Sequence, residues 1–276
     1  MTRDFWHRFV RNRPAALGLA FIGFVVLLAL AAPLVFPTDP FRIVARPFLP
    51  PFGEHLLGTD SLGRDIAAGL AHGARTSLMI GLVATVVAVA IGTVLGGFAG
   101  FYGGWIDDLL MRFTELFQTI PYFIFAIVLV AILSPSNQSI VIAIAVVSWP
   151  PIARLVRGEF MVMRNREFVE ASICLGMSDV AVIFGQILPN ALSPIIVTGS
   201  LMVATAILIE AALSFLGLGD PNSMSWGFMI GAGRSFLRDA WWLCAMPGFA
   251  ILLTVLSINL VGEGLNDALN PRLRTA

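Results

Sequence analysis

The chain contains no lysine: seventeen arginines supply every Lys/Arg-type charge and balance seventeen Asp and Glu. Without lysine there is no P-loop and no Schiff-base chemistry. Without a basic surplus there is little to neutralise phosphates, so no nucleic acid is expected as a partner. Charge of either sign is scarce, at 12% of the 276 residues, while 58% are hydrophobic. Ordinary soluble domains carry about 25% charged residues, so a water-soluble domain is excluded. The two cysteines, Cys174 and Cys244, have no metal or redox spacing and read as small apolar residues in packed helices. The three histidines (His7, His55, His72) are scattered, and none falls in an apolar run. An intramembrane enzyme needs a nucleophile with a base, or metal ligands, at membrane depth. No His or Asp lies in any apolar run, which removes that class.

What the chain does have is long apolar runs. A helix crosses the roughly 30 Å hydrocarbon layer in about 20 residues, and six stretches of that kind are present. The first is 15–36, too long for a cleavable leader and without a small-residue cleavage site, so it reads as a retained span. The second lies in 77–101. Residues 116–153 carry no charge, and Ser134-Pro135-Ser136-Asn137-Gln138 cuts them into a third span and a short fourth, which Pro150-Pro151 is placed to kink. The fifth covers about 191–216 and the sixth 241–261. The expectation is an all-α polytopic membrane protein with six transmembrane helices. Its parts are an inner segment 1–14, the first span, an outer segment 37–76, a five-helix core 77–262 with an inner loop 154–190, and a tail 263–276.

Arginines in the connections orient it, since positive loops stay in the cytoplasm. One side holds Arg3, Arg8, Arg11, Arg13, Arg112, Arg154, Arg157, Arg164, Arg166, Arg272 and Arg274; the other holds Arg42, Arg46, Arg64, Arg75, Arg234 and Arg238. The richer side includes both termini, which places both in the cytoplasm.

The inner loop is the most informative segment. Phe168, Ala171, Cys174 and Leu175 recur at helical spacing and give a short helix with one apolar side. Gly176 stands where that helix would end. Ser178 suits an N-cap, with Asp179 in the first turn of a second short helix; Pro189 stops that helix or begins the next span. The result is a helix–Gly–helix elbow at the membrane face. Composition alone fits an amphipathic connector on the lipid surface equally well.

This segment resembles the Glu-Ala-Ala loop of ABC-importer permeases. Glu170, Ala171, Gly176, Ile187, Leu188 and Pro189 match, and Ser172 replaces the second alanine with little change in volume. The resemblance runs over nearly the whole chain, to the C-type permease of the dipeptide/oligopeptide/nickel subfamily. It includes Leu57-Gly58-Thr59-Asp60, Gly63-Arg64-Asp65, Gly73-Ala74-Arg75, Glu210-Ala211-Ala212-Leu213-Ser214-Phe215-Leu216-Gly217, Ser225-Trp226-Gly227 and Asn270-Pro271-Arg272. It implies the type-I ABC importer transmembrane fold, with one span before a five-helix core, in a bacterial or archaeal cytoplasmic (inner) membrane. It also implies that the elbow couples to an ATPase through Arg166, Glu167, Phe168, Glu170, Ala171, Ser172, Leu175, Gly176 and Pro189. Glu170 would make charge-assisted contacts there, and Gly176 would aim the helix.

The implied partners are a B-type permease subunit, two ABC ATPase subunits, an extracytoplasmic solute-binding protein and membrane lipid. ATP and Mg would bind those ATPases, with no cofactor on this chain and no enzymatic activity of its own. The implied cargo is short peptides; nickel chelates, opines, glutathione and oligosaccharides use the same architecture.

Other features allow two readings each. Glu210 is the one ionisable residue within the expected spans. An acid there costs about 2.5–3.5 kcal/mol, so it faces protein or water, as a structural or interface group or at the pathway. Residues 57–65 lack calcium-loop spacing; Gly58 and Gly63 are expected to shape turns, and Asp60 or Ser61 to cap a short helix running to Ala74. The outer segment 217–240 faces the binding protein in the resemblance, and Trp226, Trp241 and Trp242 also suit the lipid boundary. Gly81, Gly92, Gly96, Gly97 and Gly100 permit close helix approach, either internally or to a second permease. An ion-coupled secondary carrier is the alternative of another class; it calls for paired repeats and coupling residues in the spans, and Glu210 alone is available.

Overall fold

The computed structural model describes residue 6 and residues 9–269. Arg3, Arg8, Arg272, Arg274 and the Asn270-Pro271-Arg272 stretch lie outside them. Among the described residues five helices are long and apolar enough to cross a membrane, and a sharply bent pair makes a sixth if its arms count as one.

Helix α1 (Arg13–Val35) starts at Asn12, whose side chain accepts from the Ala15 amide, with Pro14 in the first turn where no amide donor is needed. Leu17, Phe24, Leu27, Leu30 and Leu34 stay exposed and form an apolar face.

Helix α2 (Ile66–Tyr102) corrects the expectation for its start. Its N-cap is Asp65, which accepts from the amides of Ala67 and Ala68 at 2.8 and 3.2 Å. Asp60 instead closes the preceding turn, accepting from Leu62 and Arg64 at 2.8 Å each. The helix does not end at Ala74 but runs unbroken for 37 residues: Arg75 interrupts the apolar run without interrupting the helix, because arginine is a good helix former. Gly58 and Gly63 are turn glycines, at φ +81° and +80°.

The third span is also different. Helix α3 (Gly104–Gln118) and helix α4 (Tyr122–Leu133) meet at 81°. With 12 residues, α4 is about 18 Å long, short of the hydrocarbon thickness. Pro121 lacks the amide that would carry α3 into α4, and its own backbone is extended (ψ 122°). Helix α5 (Asn137–Arg164), capped by Ser136, is longer than expected. It passes through Pro150 and Pro151 and takes residues 154–164 out of the inner loop. The buried face of Trp149, Ile152, Ala153, Val156 and Phe160 holds it together across the prolines.

Helix α6 (Glu167–Cys174) is followed by a continuous helical run: α7 (Asp179–Val182), a π-helical turn (Ile183–Ile187) and α8 (Leu188–Phe215). Pro189 begins α8. Having no amide for the Gly185 carbonyl, it is accommodated by the wider turn, in which the Leu188 amide reaches back to Ile183. Helix α9 (Trp226–Gly233) is short, and α10 (Trp242–Leu269) extends past the expected end of the last span.

Helix α2 is the centre, packed on α1, α5 and α8. Its glycines settle one open question. A Cβ at Gly92 would lie 2.7 Å from Ile152, at Gly96 2.2 Å from the Ala153 carbonyl oxygen, and at Gly100 2.6 Å from that of Arg157. All three neighbours are on α5, so the glycine stripe serves internal packing. Gly81 does the same against Ile207 of α8.

Candidate coupling elbow and cavity

In the elbow, α6 ends in a Schellman turn. The Gly176 amide donates to the Ile173 carbonyl at 2.9 Å, and that of Met177 to Ser172 at 3.2 Å. Gly176 has φ +80°, and a Cβ added there would meet nothing within 4 Å, so backbone conformation, not space, demands glycine. Ser178 caps α7 as expected, accepting from Ala181 at 3.4 Å. Arg166 occupies the N-cap position of α6, and Glu167 and Glu170 lie in its first turn, where the helix dipole favours acids.

The buried side of α6 is not its apolar stripe. Val169 and Ser172 face inward, and the Ser172 hydroxyl donates to the Phe168 carbonyl at 2.8 Å. Phe168, Ala171, Cys174 and Leu175 are all exposed, Leu175 to 85%. The apolar stripe read from the spacing is therefore presented outward, with no partner among the described residues. Inward, Val169 joins Val182, Ile183 and Ile187 in one cluster with Phe101 of α2 and Ile152, Val156 and Phe160 of α5. The elbow is thereby packed directly onto two long helices.

A cavity of about 650 Å³ opens beside the bend between α3 and α4. The bend contributes Phe117, Gln118, Ile120, Pro121 and Tyr122; α5 contributes Val147, Ser148, Pro151 and Arg154; α8 contributes Thr198, Met202, Thr205 and Ile209. The α8 set recurs at one helical face. That stripe, and the glutamine in an otherwise apolar run, were visible in the sequence; what joined them was not. Arg154, expected on an inner loop, lies within α5 and lines this cavity.

Two further polar arrangements hold the helices. Arg157 of α5 donates to Asp107 of α3 through Nε and Nη2, at 2.5 and 2.6 Å. The residues are fifty positions apart, so no local pattern announces the pair. Glu210 is fully buried near the end of α8, accepting from Ser77 of α2 at 2.9 Å and from Ser214 at 2.8 Å. Ser77 in turn accepts from the Trp226 amide at 3.3 Å, so α2, α8 and α9 converge on one carboxylate. Glu210 lies about 30 Å along the helix from Pro189 and does not line the cavity.

Residues 92–275 match the family model described as binding-protein-dependent transport system inner membrane component. Residues 1–51 match the N-terminal transmembrane domain of oligopeptide transport permease C. The chain is 43% identical to the di/tripeptide transport system permease protein DppC of Pseudomonas aeruginosa, over 99% of this chain and 93% of that protein. It is 38% identical to the oligopeptide transport system permease protein OppC of Haemophilus influenzae, over 99% and 89%. Among solved structures it is similar in fold to the inward-facing MetNI methionine ABC transporter, with TM-score 0.58 and 19% identity over 69% of this chain and 91% of that one.

Proposed function

Because the chain belongs to the family of inner membrane components of binding-protein-dependent transport systems, as a permease subunit of an ABC importer, we propose that it forms half of a translocation pathway for short peptides. The peptide assignment draws on the names of its relatives. A B-type permease supplies the other half, two ABC ATPases dock on the elbow, and an extracytoplasmic binding protein delivers cargo to segment 217–240. ATP and Mg stay on the ATPases, and this chain is not itself an enzyme. Both termini lie in the cytoplasm of a bacterial or archaeal cell, with residues 37–76 outside, 77–262 forming the core and 263–276 the inner tail.

One observation carries the reading: α6 turns Phe168 and Leu175 outward while rooting Val169 in the cluster that joins α2 and α5. A partner gripping the outward face then moves α5, which borders the cavity. Arg166, Glu167, Phe168, Glu170, Ala171, Ser172, Leu175, Gly176 and Pro189 shape this surface. Of these, Ser172 supports from within, and Pro189 starts the span that transmits the motion. Glu210 acts as an internal fastener, since it is fully buried and its two carboxylate oxygens accept from serines on α2 and α8. That placement also counts against an ion-coupled carrier, whose coupling acid has to meet the pathway.

The test is Gly176→Asp in the assembled transporter. Any β-substituent is strained at this φ, so the variant is expected to insert into the membrane normally but to lose ATP-driven uptake. A Leu175→Cys variant is expected to crosslink to a nucleotide-hydrolysing subunit. Wild-type uptake by Gly176→Asp, or crosslinks that never reach such a subunit, would overturn the reading.

A further inference from the structure

Resting on the transport reading, we propose that Arg154 receives the C-terminal carboxylate of a peptide in the cavity beside the α3–α4 bend. At about 650 Å³ the cavity falls in the roughly 300–1,000 Å³ range of small-molecule sites. Its lining is mainly apolar. Gln118, Tyr122, Ser148, Thr198 and Thr205 supply neutral polar groups, Arg154 supplies the one charge, and no carboxylate lines it.

Its neighbours on α5 make Arg154 distinctive. Arg157, three residues on, is held by Asp107 through two hydrogen bonds, and Arg164 donates to the Tyr102 carbonyl. Arg154 is exposed and has no hydrogen-bond or ion-pair partner among the described residues. A positive-inside bias accounts for arginines at this end of the helix, but not for one that faces the cavity unpaired. A guanidinium fork matches a carboxylate in two parallel, charge-assisted hydrogen bonds, which are stronger than neutral ones.

The same helix offers a complement. Pro150 and Pro151 have no amide hydrogen, so the carbonyls of Val146 and Val147 lack their helical donors. Of the two residues Val147 lines the cavity, and a carbonyl without its helical donor is an acceptor suited to a peptide N–H or ammonium group. Val147 and Arg154 are about 10 Å apart along the helix axis. An extended chain covers at most about 3.3–3.6 Å per residue, so the interval suits two or three residues with opposite charges at the ends.

The test uses the assembled transporter in a Cys174→Ser, Cys244→Ser background carrying Thr205→Cys. Its labelling rate is compared for the anionic sulfonatoethyl and cationic trimethylammonioethyl methanethiosulfonates. The anionic reagent is expected to be favoured with Arg154 or Arg154→Lys, and the preference to vanish in Arg154→Gln. With the native Thr205, ATP-driven dipeptide uptake is expected to fall at least about tenfold in Arg154→Gln and further in Arg154→Glu. Arg154→Lys should retain most uptake, and binding-protein-stimulated ATP hydrolysis should persist throughout. An unchanged reagent preference in Arg154→Gln overturns the proposal. Unchanged uptake overturns it too, as expected if Arg154 merely meets a lipid headgroup. Joint loss of uptake, ATP hydrolysis and assembly also overturns it, pointing to a carboxylate of the partner permease. If the wild type imports no peptide, the transport reading fails first, and the reagent ratio still reports whether Arg154 charges the cavity.

Discussion

Glu210 shows how one carboxylate is kept inside an apolar bundle: both oxygens accept from serine hydroxyls, and the serines sit on α2 and α8. Removing it leaves those hydroxyls short of an acceptor and opens a void at a fully buried position. Glu210→Ala is therefore expected to lower stability by about 1–3 kcal/mol, read as earlier thermal unfolding in detergent. Glu210→Gln keeps the shape and one acceptor, and is expected to unfold later than the alanine variant and to transport normally. Equal destabilisation by both would contradict the hydrogen-bond account. From sequence the residue was recognisable as an acid needing shelter; Ser77, 133 positions away, was not recognisable as its shelter. Gly176 is the opposite case. Its role follows from a single backbone angle, so the helix end and turn were legible locally.

At the scale of elements, the stripe of Gly92, Gly96 and Gly100 brings α2 against the backbone of α5. Gly96→Ala places a methyl where the Ala153 carbonyl oxygen already lies, at 2.2 Å, so the helices have to part. The expected cost is about 1–3 kcal/mol, measured as a lower thermal midpoint and lower membrane yield. Gly158→Ala, also mid-helix but with nothing within 4 Å, is expected to be neutral or to stabilise by up to about 1 kcal/mol. Equal losses would place the cause in helix propensity rather than in packing. The stripe could be read from spacing; its partner could not, because the same spacing serves any close helix contact. The bend at Pro121 has a local sign, the proline itself, which a reading of the stretch by its absence of charge passes over.

At the scale of the molecule, the long helices leave broad apolar surfaces and an outward-facing elbow that this chain alone does not cover. Reconstituted singly in liposomes, the chain is expected neither to hydrolyse ATP nor to move peptide; both activities are expected once the second permease, the ATPases and the binding protein are added. Transport by the lone chain would remove the need for them. The membrane class, the approximate spans and the elbow's order of helix, glycine and helix were determined by the sequence itself, because hydropathy, capping and left-handed backbone geometry act over a few neighbouring residues. Tertiary structure alone decided which side of α6 faces out, which helix the glycines meet, that Arg157 pairs with Asp107, and that Arg154 stays unpaired beside the cavity. Each of these depends on groups brought together from distant parts of the chain, where packing and desolvation, not local pattern, select the partner.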